Sequence, residues 1–306
     1  IFCNISQHIC CLILANLQQS NEGIAKQNLR KMNTHLFKNT TLKQLVLLIS
    51  ALFAIISSTQ AQSYVTKTIL IKNVHVFNGE DNAIAENQYI LIAGDSIKAM
   101  GKMTDSARYH DNVDEIIDGK GYYAMPGLID SHTHLLQETI APAAYAQYDF
   151  PLINFIGAEA AKQRLMRGFT TVRNMGGAAI SLSRAIDKGL VIGPRIYPSG
   201  AFISQTGGHG DVSPYTDVPR EHLSYSEQQS LVAIADGADQ VLLKSREQLR
   251  QGATQLKLMA GGGINSPYDH IDAAQYSEAE FRAAVGAAKN WGTYVGVHAY
   301  TDEATF

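Results

Sequence analysis

Beyond His134 the chain alternates short apolar runs of β type with helical segments, and this alternation limits the folds open to it. A helical stretch from about Leu152 to Arg167 stops at Gly168, and Thr170-Thr171-Val172 follows as a strand. Ser181 to Lys188 reads as a short helix closed by Gly189. Arg195-Ile196-Tyr197-Pro198-Ser199 reads as the next strand, its proline marking an irregular end. A helix from about Asp239 to Arg250 leads to the strand Gln255-Leu256-Lys257-Leu258-Met259. The capping-box pattern Ser277-Glu278-Ala279-Glu280 opens a helix with Phe281, Ala284, Val285 and Ala288 on one face, before the strand Tyr294-Val295-Gly296-Val297-His298. Strands separated by helices pair in parallel, which predicts about five βα units of a barrel.

The first strand of the series lies in Ala124-Met125-Pro126-Gly127-Leu128-Ile129-Asp130-Ser131-His132-Thr133-His134-Leu135. Residues i and i+2 of a strand face one side, roughly 6.6 Å apart. The imidazoles of His132 and His134 can therefore converge on one ion at metal-nitrogen distances near ~2 Å. A bare His-x-His pair also occurs on solvated strand ends. Pro126-Gly127 sets the start of this strand, and Asp130 and Ser131 are candidate partners for the imidazoles.

In the strand Gln255–Met259, Leu256 and Leu258 face covering helices, while Gln255, Lys257 and Met259 face the barrel interior. Burial of an unpaired ammonium is costly, so Lys257 is pushed toward its neutral amine. A neutral amine can take up carbon dioxide, releasing a proton, to become a carbamate whose two oxygens can bridge metal ions. The alternative is an internal lysine paired with a carboxylate. His298 ends its strand on the face of Tyr294 and Gly296, and the C-terminal ends of barrel strands line the active face. Alone it reads as a structural histidine; beside His132, His134 and Lys257 at similar strand ends it reads as a ligand.

Ahead of the barrel, from Thr66 to about Tyr123, short β runs at Thr68–Ile71, Val74–Phe77, Tyr89–Ile92 and Ser96–Met100 are separated by turn signals such as Gly94-Asp95. They predict a small antiparallel sheet. Residues 1–31 lack an initiator Met and read as an upstream extension, untranslated or disordered. Residues 32–61 have a basic start, an apolar run from Leu45 to Ile56 and a small-residue site at Thr59-Gln60-Ala61, the pattern of a signal peptide cleaved after Ala61. Its apolar core is short of the ~20 residues needed to span a membrane. The expectation is an exported protein, periplasmic or secreted. Cys3, Cys10 and Cys11 all precede this segment, so no disulfide is expected in the mature domain.

A net charge of -3, with 45% hydrophobic and 17% charged residues, describes an ordinary globular chain and makes no case for nucleic acid or an anionic membrane as partner.

Pro126-Gly127-Leu128-Ile129-Asp130-Ser131-His132-Thr133-His134 resembles the first-strand signature of the metal-dependent amidohydrolase superfamily. Gly168-Phe169-Thr170-Thr171-Val172-Arg173, Thr206-Gly207-Gly208-His209-Gly210-Asp211 and Lys257-Leu258-Met259-Ala260-Gly261-Gly262-Gly263 are similar to its imidazolonepropionase-like branch, which includes Xaa-Pro dipeptidases. The likeness runs from about Ile69 to the end. It implies an α/β fold, a TIM-like (β/α)8 barrel over 124–306 preceded by part of a small β-sandwich over 62–123, and a pair of divalent ions, usually zinc, that activate a bridging water. By that resemblance His132 and His134 hold one ion, carboxylated Lys257 bridges, and His298 holds the second. His209 is either a substrate-side contact or a turn residue. The run Gly261-Gly262-Gly263 lacks the Lys and Ser/Thr of a phosphate loop and reads as room for substrate or metal beside the backbone.

Two departures stand out. Asn174 occupies the position where relatives usually carry Asp. The family's sixth-strand histidine and its eighth-strand aspartate, the general base, have no counterpart before Phe306; roughly 180 residues from Met125 fall short of the ~250 of a whole barrel. The expectation is an incomplete barrel with no catalytic residue of its own, inactive alone, taken from a hydrolase of dipeptides or N-acyl amino acids. The alternatives are a cyclic-amide hydrolase or deaminase of the same superfamily, and a non-catalytic metal-binding or interaction protein. Assembly into a homo-oligomer is left open.

Overall fold

The computed structural model describes residues 67–138, 140, 148–218, 220–264, 266 and 268–305. The upstream extension, the signal peptide and the three cysteines lie outside the described residues. The chain divides into two compact units, one of residues up to Lys72 with Tyr89–Asp118, the other of Asn73–Gln88 with Gly119–Phe306.

The strands β1 (Thr68–Phe77), β2 (Ile84–Ala93), β3 (Ser96–Lys102) and β4 (Glu115–Asp118) form a sheet in the order β3-β2-β1-β4, with β5 (Tyr123–Ala124) also on β1. Neighbours β2 and β3 are joined by the two-residue turn Gly94-Asp95, as expected of an antiparallel hairpin. The antiparallel expectation fails where β1 meets β4 and β5. In the first unit β1 runs parallel to β4, with Ile69 opposite Glu115, and in the second the end of β1 runs parallel to β5, with His75 opposite Tyr123. The physical reason is the crossover: a 3-10 helix, Met103–Asn112, carries the chain back between β3 and β4.

In the second unit, β6 (Leu128–Thr133), β7 (Phe169–Asn174) and β8 (Arg195–Pro198) form one parallel sheet. β9 (Phe202–Ser204), β10 (Val232–Ile234), β11 (Leu256–Met259) and β12 (Val295–His298) form another, in the order β10-β9-β11-β12, again parallel in every pairing. β8 and β9 are halves of one run, broken at Ser199-Gly200-Ala201, so that β8 pairs with β7 and β9 with β11. Helices α1 (Phe150–Met166), α2 (Ala179–Asp187), α3 (Tyr225–Gln228), α4 (Ala238–Gln251), α5 (Glu278–Asn290) and α6 (Asp302–Thr305) lie between or after these strands. Asp149 caps α1 by accepting the amide of Leu152 at 2.9 Å.

Leu256 and Leu258 of β11 pack with Val241 and Leu249 of α4 and Ala284, Ala287 and Ala288 of α5. Val172 of β7 packs with Ala161 of α1 and Leu182 of α2. The α5 face differs from expectation: Val285 is 52% exposed and Ala287 is buried in its place. The alanine-rich side lets α4 approach closely, and the branched residue is left at the rim. Neither α3 nor β10 was expected. Glu227 organises both, accepting from the Ser224 amide at 2.9 Å and from the Ile234 amide at 3.4 Å.

Candidate active site

The strand that carries the first two histidines is irregular where it matters. Asp130 pairs with Val172 and Thr133 with Asn174, so Ser131 and His132 together face Arg173 alone. Such a bulge re-aims side chains and leaves ladder groups unpaired. Arg173 supplies the missing bond, its Nε donating to the Ser131 carbonyl at 2.6 Å. The His132 and His134 rings converge at 5.3 Å between centroids, by a bulged route rather than the ideal alternation the sequence suggested.

Asp130 acts on the His132 ring through its charge, while its hydrogen bonds go elsewhere. Asp130 accepts from the His132 backbone amide at 3.1 Å and from Arg164 at 3.0 Å, while the Ser131 carbonyl serves Arg173. A short strand end has its own backbone donors to satisfy, and the nearest polar groups are drawn to them. Arg164 also pairs with Glu138, whose carboxylate accepts from Thr133 Oγ1 at 2.7 Å.

Lys257 is 1% exposed, and the charge acting on it is the like-signed guanidinium of Arg173. Burial, with Arg173 second, pushes its pKa down to about 8. Among the described residues no carboxylate pairs with it. Arg173 is itself fixed, its Nη1 donating to Tyr294 Oη at 3.0 Å.

His298, at the end of β12, places Nε2 3.0 Å from the Gly262 carbonyl. A carbonyl only accepts, so Nε2 carries the proton and Nδ1 keeps its lone pair. The His209 ring lies flat against it, centroids 4.0 Å apart and planes 7° apart, and Tyr300 meets it edge-on at 4.9 Å. His209 sits in a loop tied by Asp211, which accepts from the Gly207 amide at 2.9 Å, and by Ser204 Oγ, which accepts from the Gly210 amide at 3.0 Å. Its Nδ1 is 3.0 Å from Ser266 Oγ and 3.5 Å from Asp269 Oδ2.

Burial lowers the pKa of all four imidazoles, and the charge of Lys257 adds to the lowering in each. His134 and His298 are both pushed down to about 4. The five side chains named from the sequence thus share one electrostatic neighbourhood, with imidazoles neutral at pH 7. The histidines come as two pairs, and among the described residues no cluster of three or more His, Cys, Asp and Glu side chains encloses a site by itself. The donor set still suits divalent ions. His134 Nδ1 is buried with no hydrogen-bond partner among the described residues, which is the state of a nitrogen reserved for a ligand.

The glycine run after Lys257 does not leave open room, as the sequence suggested. A Cβ on Gly263 would lie 1.9 Å from the His209 ring, and one on Gly262 would lie 1.7 Å from the His270 carbonyl. The space is filled by the chain's own loops, and glycine lets the His209 ring settle onto His298. Asp269 and the contacts of Arg173 were not read from the sequence, because nothing in their local pattern shows which distant groups they meet.

The model of the family described as "Amidohydrolase family" matches residues 123–306. The ochratoxinase of Aspergillus niger is 31% identical over 189 residues, which are 58% of this chain and 39% of that protein. A prolidase solved with N-methylphosphonate-L-proline is 37% identical with a TM-score of 0.68, over 78% of this chain and 57% of that one. A Xaa-Pro dipeptidase solved with methionine in its active site is 29% identical with a TM-score of 0.66, over 78% of this chain and 58% of that one. The chain therefore spans 39% to 58% of the length of these relatives.

Proposed function

This chain belongs to the amidohydrolase family, and we propose that it is part of a metal-dependent hydrolase of C–N amide bonds acting on a dipeptide of Xaa-Pro type or an N-acyl amino acid. The similarity to a prolidase, a Xaa-Pro dipeptidase and an ochratoxinase supports a small amide substrate. The observation that carries the reading is Lys257, a buried lysine with no carboxylate partner among the described residues, whose charge is felt by His132, His134, His209 and His298.

In this reading His132 and His134 would hold one ion, His298 would help hold a second, and Lys257 as its carbamate would supply anionic oxygens to the pair. When bound, two divalent ions, zinc by family habit, polarise the amide carbonyl and lower the pKa of water. The chain's own residues supply the rest. The Gly262 carbonyl fixes the His298 tautomer, Arg173 fills the bulge beside His132, and His209 contacts substrate from its loop. Proton transfer to the leaving amine is assigned to no residue of this chain, and hydrolysis is proposed for the whole protein, a closed barrel with a small β-sandwich, since the chain spans 39% to 58% of its relatives. Its address is proposed to be extracytoplasmic, with a mature N-terminus at Gln62.

The test is metal analysis and a hydrolysis screen of the complete protein. Two ions per chain, a carbamate on Lys257 and turnover of dipeptides or N-acyl amino acids are expected. One ion per chain with a free Lys257 would sink this reading and favour a deaminase.

A further inference from the structure

Asn174 is 0% exposed at the end of β7, and its side-chain amide is used at both ends. Oδ1 accepts the backbone amide of Leu135 at 2.9 Å, and Nδ2 donates to the carbonyl of Gly176 at 2.6 Å. The partners fix the orientation of the amide, since one can only donate and the other can only accept. Leu135 directly follows His134.

The β6–β7 ladder ends at Thr133 opposite Asn174, where the Met175 amide donates to the Thr133 carbonyl at 2.9 Å. The chain then turns, the Gln137 amide donating to the His134 carbonyl at 2.7 Å. There the Asn174 side chain holds the turning segment, through the Leu135 amide. His134 is thereby held on both sides, through Thr133 before it and Leu135 after it. At the other end of the amide Gly176 has φ 136°, and a Cβ there would lie 2.5 Å from the Phe202 ring, so the position is kept for glycine. The Asn174 carbonyl in turn accepts the Ser199 amide at 3.0 Å, fixing the residue to the end of β8.

We propose that Asn174 is a positioning residue that sets the aim of His134, and with it the affinity of the first-strand metal position. This rests on the reading of His134 as a ligand. An ionised aspartate at 174 could still accept from Leu135 but would oppose the Gly176 carbonyl with like charge. In this chain the asparagine makes both bonds without a charge.

The test uses the complete protein, stripped of metal and titrated with Co2+, with the absorption spectrum of the bound ion as a readout that does not depend on turnover. N174D keeps the volume and removes the donor, N174A removes both bonds, and S183A removes a buried hydroxyl on α2 that bonds the Ile196 carbonyl at 3.0 Å. N174D and N174A should weaken Co2+ binding on the order of 10-fold and shift its spectrum, as loss of groups that orient ligands does. S183A should lower the melting temperature and leave Co2+ binding unchanged. Wild-type affinity and spectrum in N174D and N174A would overturn the proposal, whatever their melting temperatures. Should those variants fail to fold, amide exchange in the wild type decides: slow exchange at Leu135 supports the clasp, and exchange as fast as in surface loops overturns it. If the wild type itself takes up no Co2+, the ligand reading falls and the proposal with it, a result distinct from failure in the variants alone.

Discussion

Lys257 is the side chain whose chemistry and stability pull in opposite directions. Its amine is depressed to about 8 from 10.5, so the unfolded chain holds the proton more tightly than the folded one. Stability present above pH 10.5 is lost as pH falls through 8, and below that the penalty is constant, up to about 3 kcal/mol at 1.36 kcal/mol per unit. Lys257→Met should therefore raise the urea midpoint of metal-free protein at pH 7 while abolishing hydrolysis by the complete enzyme. His134 and His298 act in the same direction at lower pH. Both are depressed to about 4, so they favour folding above about pH 6.5 and lose that contribution as pH falls toward 4. Unfolding curves of metal-free protein between pH 4 and 7 should show stability rising with pH. A flat profile would mean these rings are as solvated as in the unfolded chain.

Among the elements, α5 shows how one carboxylate can serve two helices. Glu280 accepts from the Ser277 amide and Oγ, each at 2.7 Å, and from the amide of Gly237, the N-cap of α4, also at 2.7 Å. Burial raises its pKa, but the three hydrogen bonds outweigh burial and leave it below the usual carboxylate range. Glu280→Ala should cost about 1–2 kcal/mol in urea unfolding, the scale of a lost cap. Glu278→Ala, which removes a pair with Arg282 in which both side chains are 77% exposed, should stay within about 0.5 kcal/mol. The capping box at Ser277 was legible because it is a local device, complete within four residues. The service to α4 was not, since Gly237 lies 43 residues away. The same limit explains the α5 face, where helical periodicity named Val285 but the partner helix selected Ala287.

At the scale of the molecule, a metal bound only by the folded state adds stability by mass action. Chelation should lower the melting temperature of the complete protein, and Zn2+ should restore it; an unchanged melting temperature would argue against ligands gathered from separate strands. The parallel order β6-β7-β8 and β9-β11-β12 was readable because strand and helix periods alternate along the chain, and each period is set by side chains close in sequence. The first-strand histidines, Lys257 and His298 were readable for a related reason, as each ends or occupies an apolar run where a polar residue is out of place. What the residues could not show is how they meet. The bulge bridged by Arg173, the His209 ring on His298, the contact of Gly263 with His209 and the Leu135–Asn174 bond join groups 39 to 89 residues apart. Local pattern dictates which way a side chain faces; only packing of distant segments decides what it meets there, because a buried donor or acceptor takes its partner from whichever strand the fold brings within 3 Å.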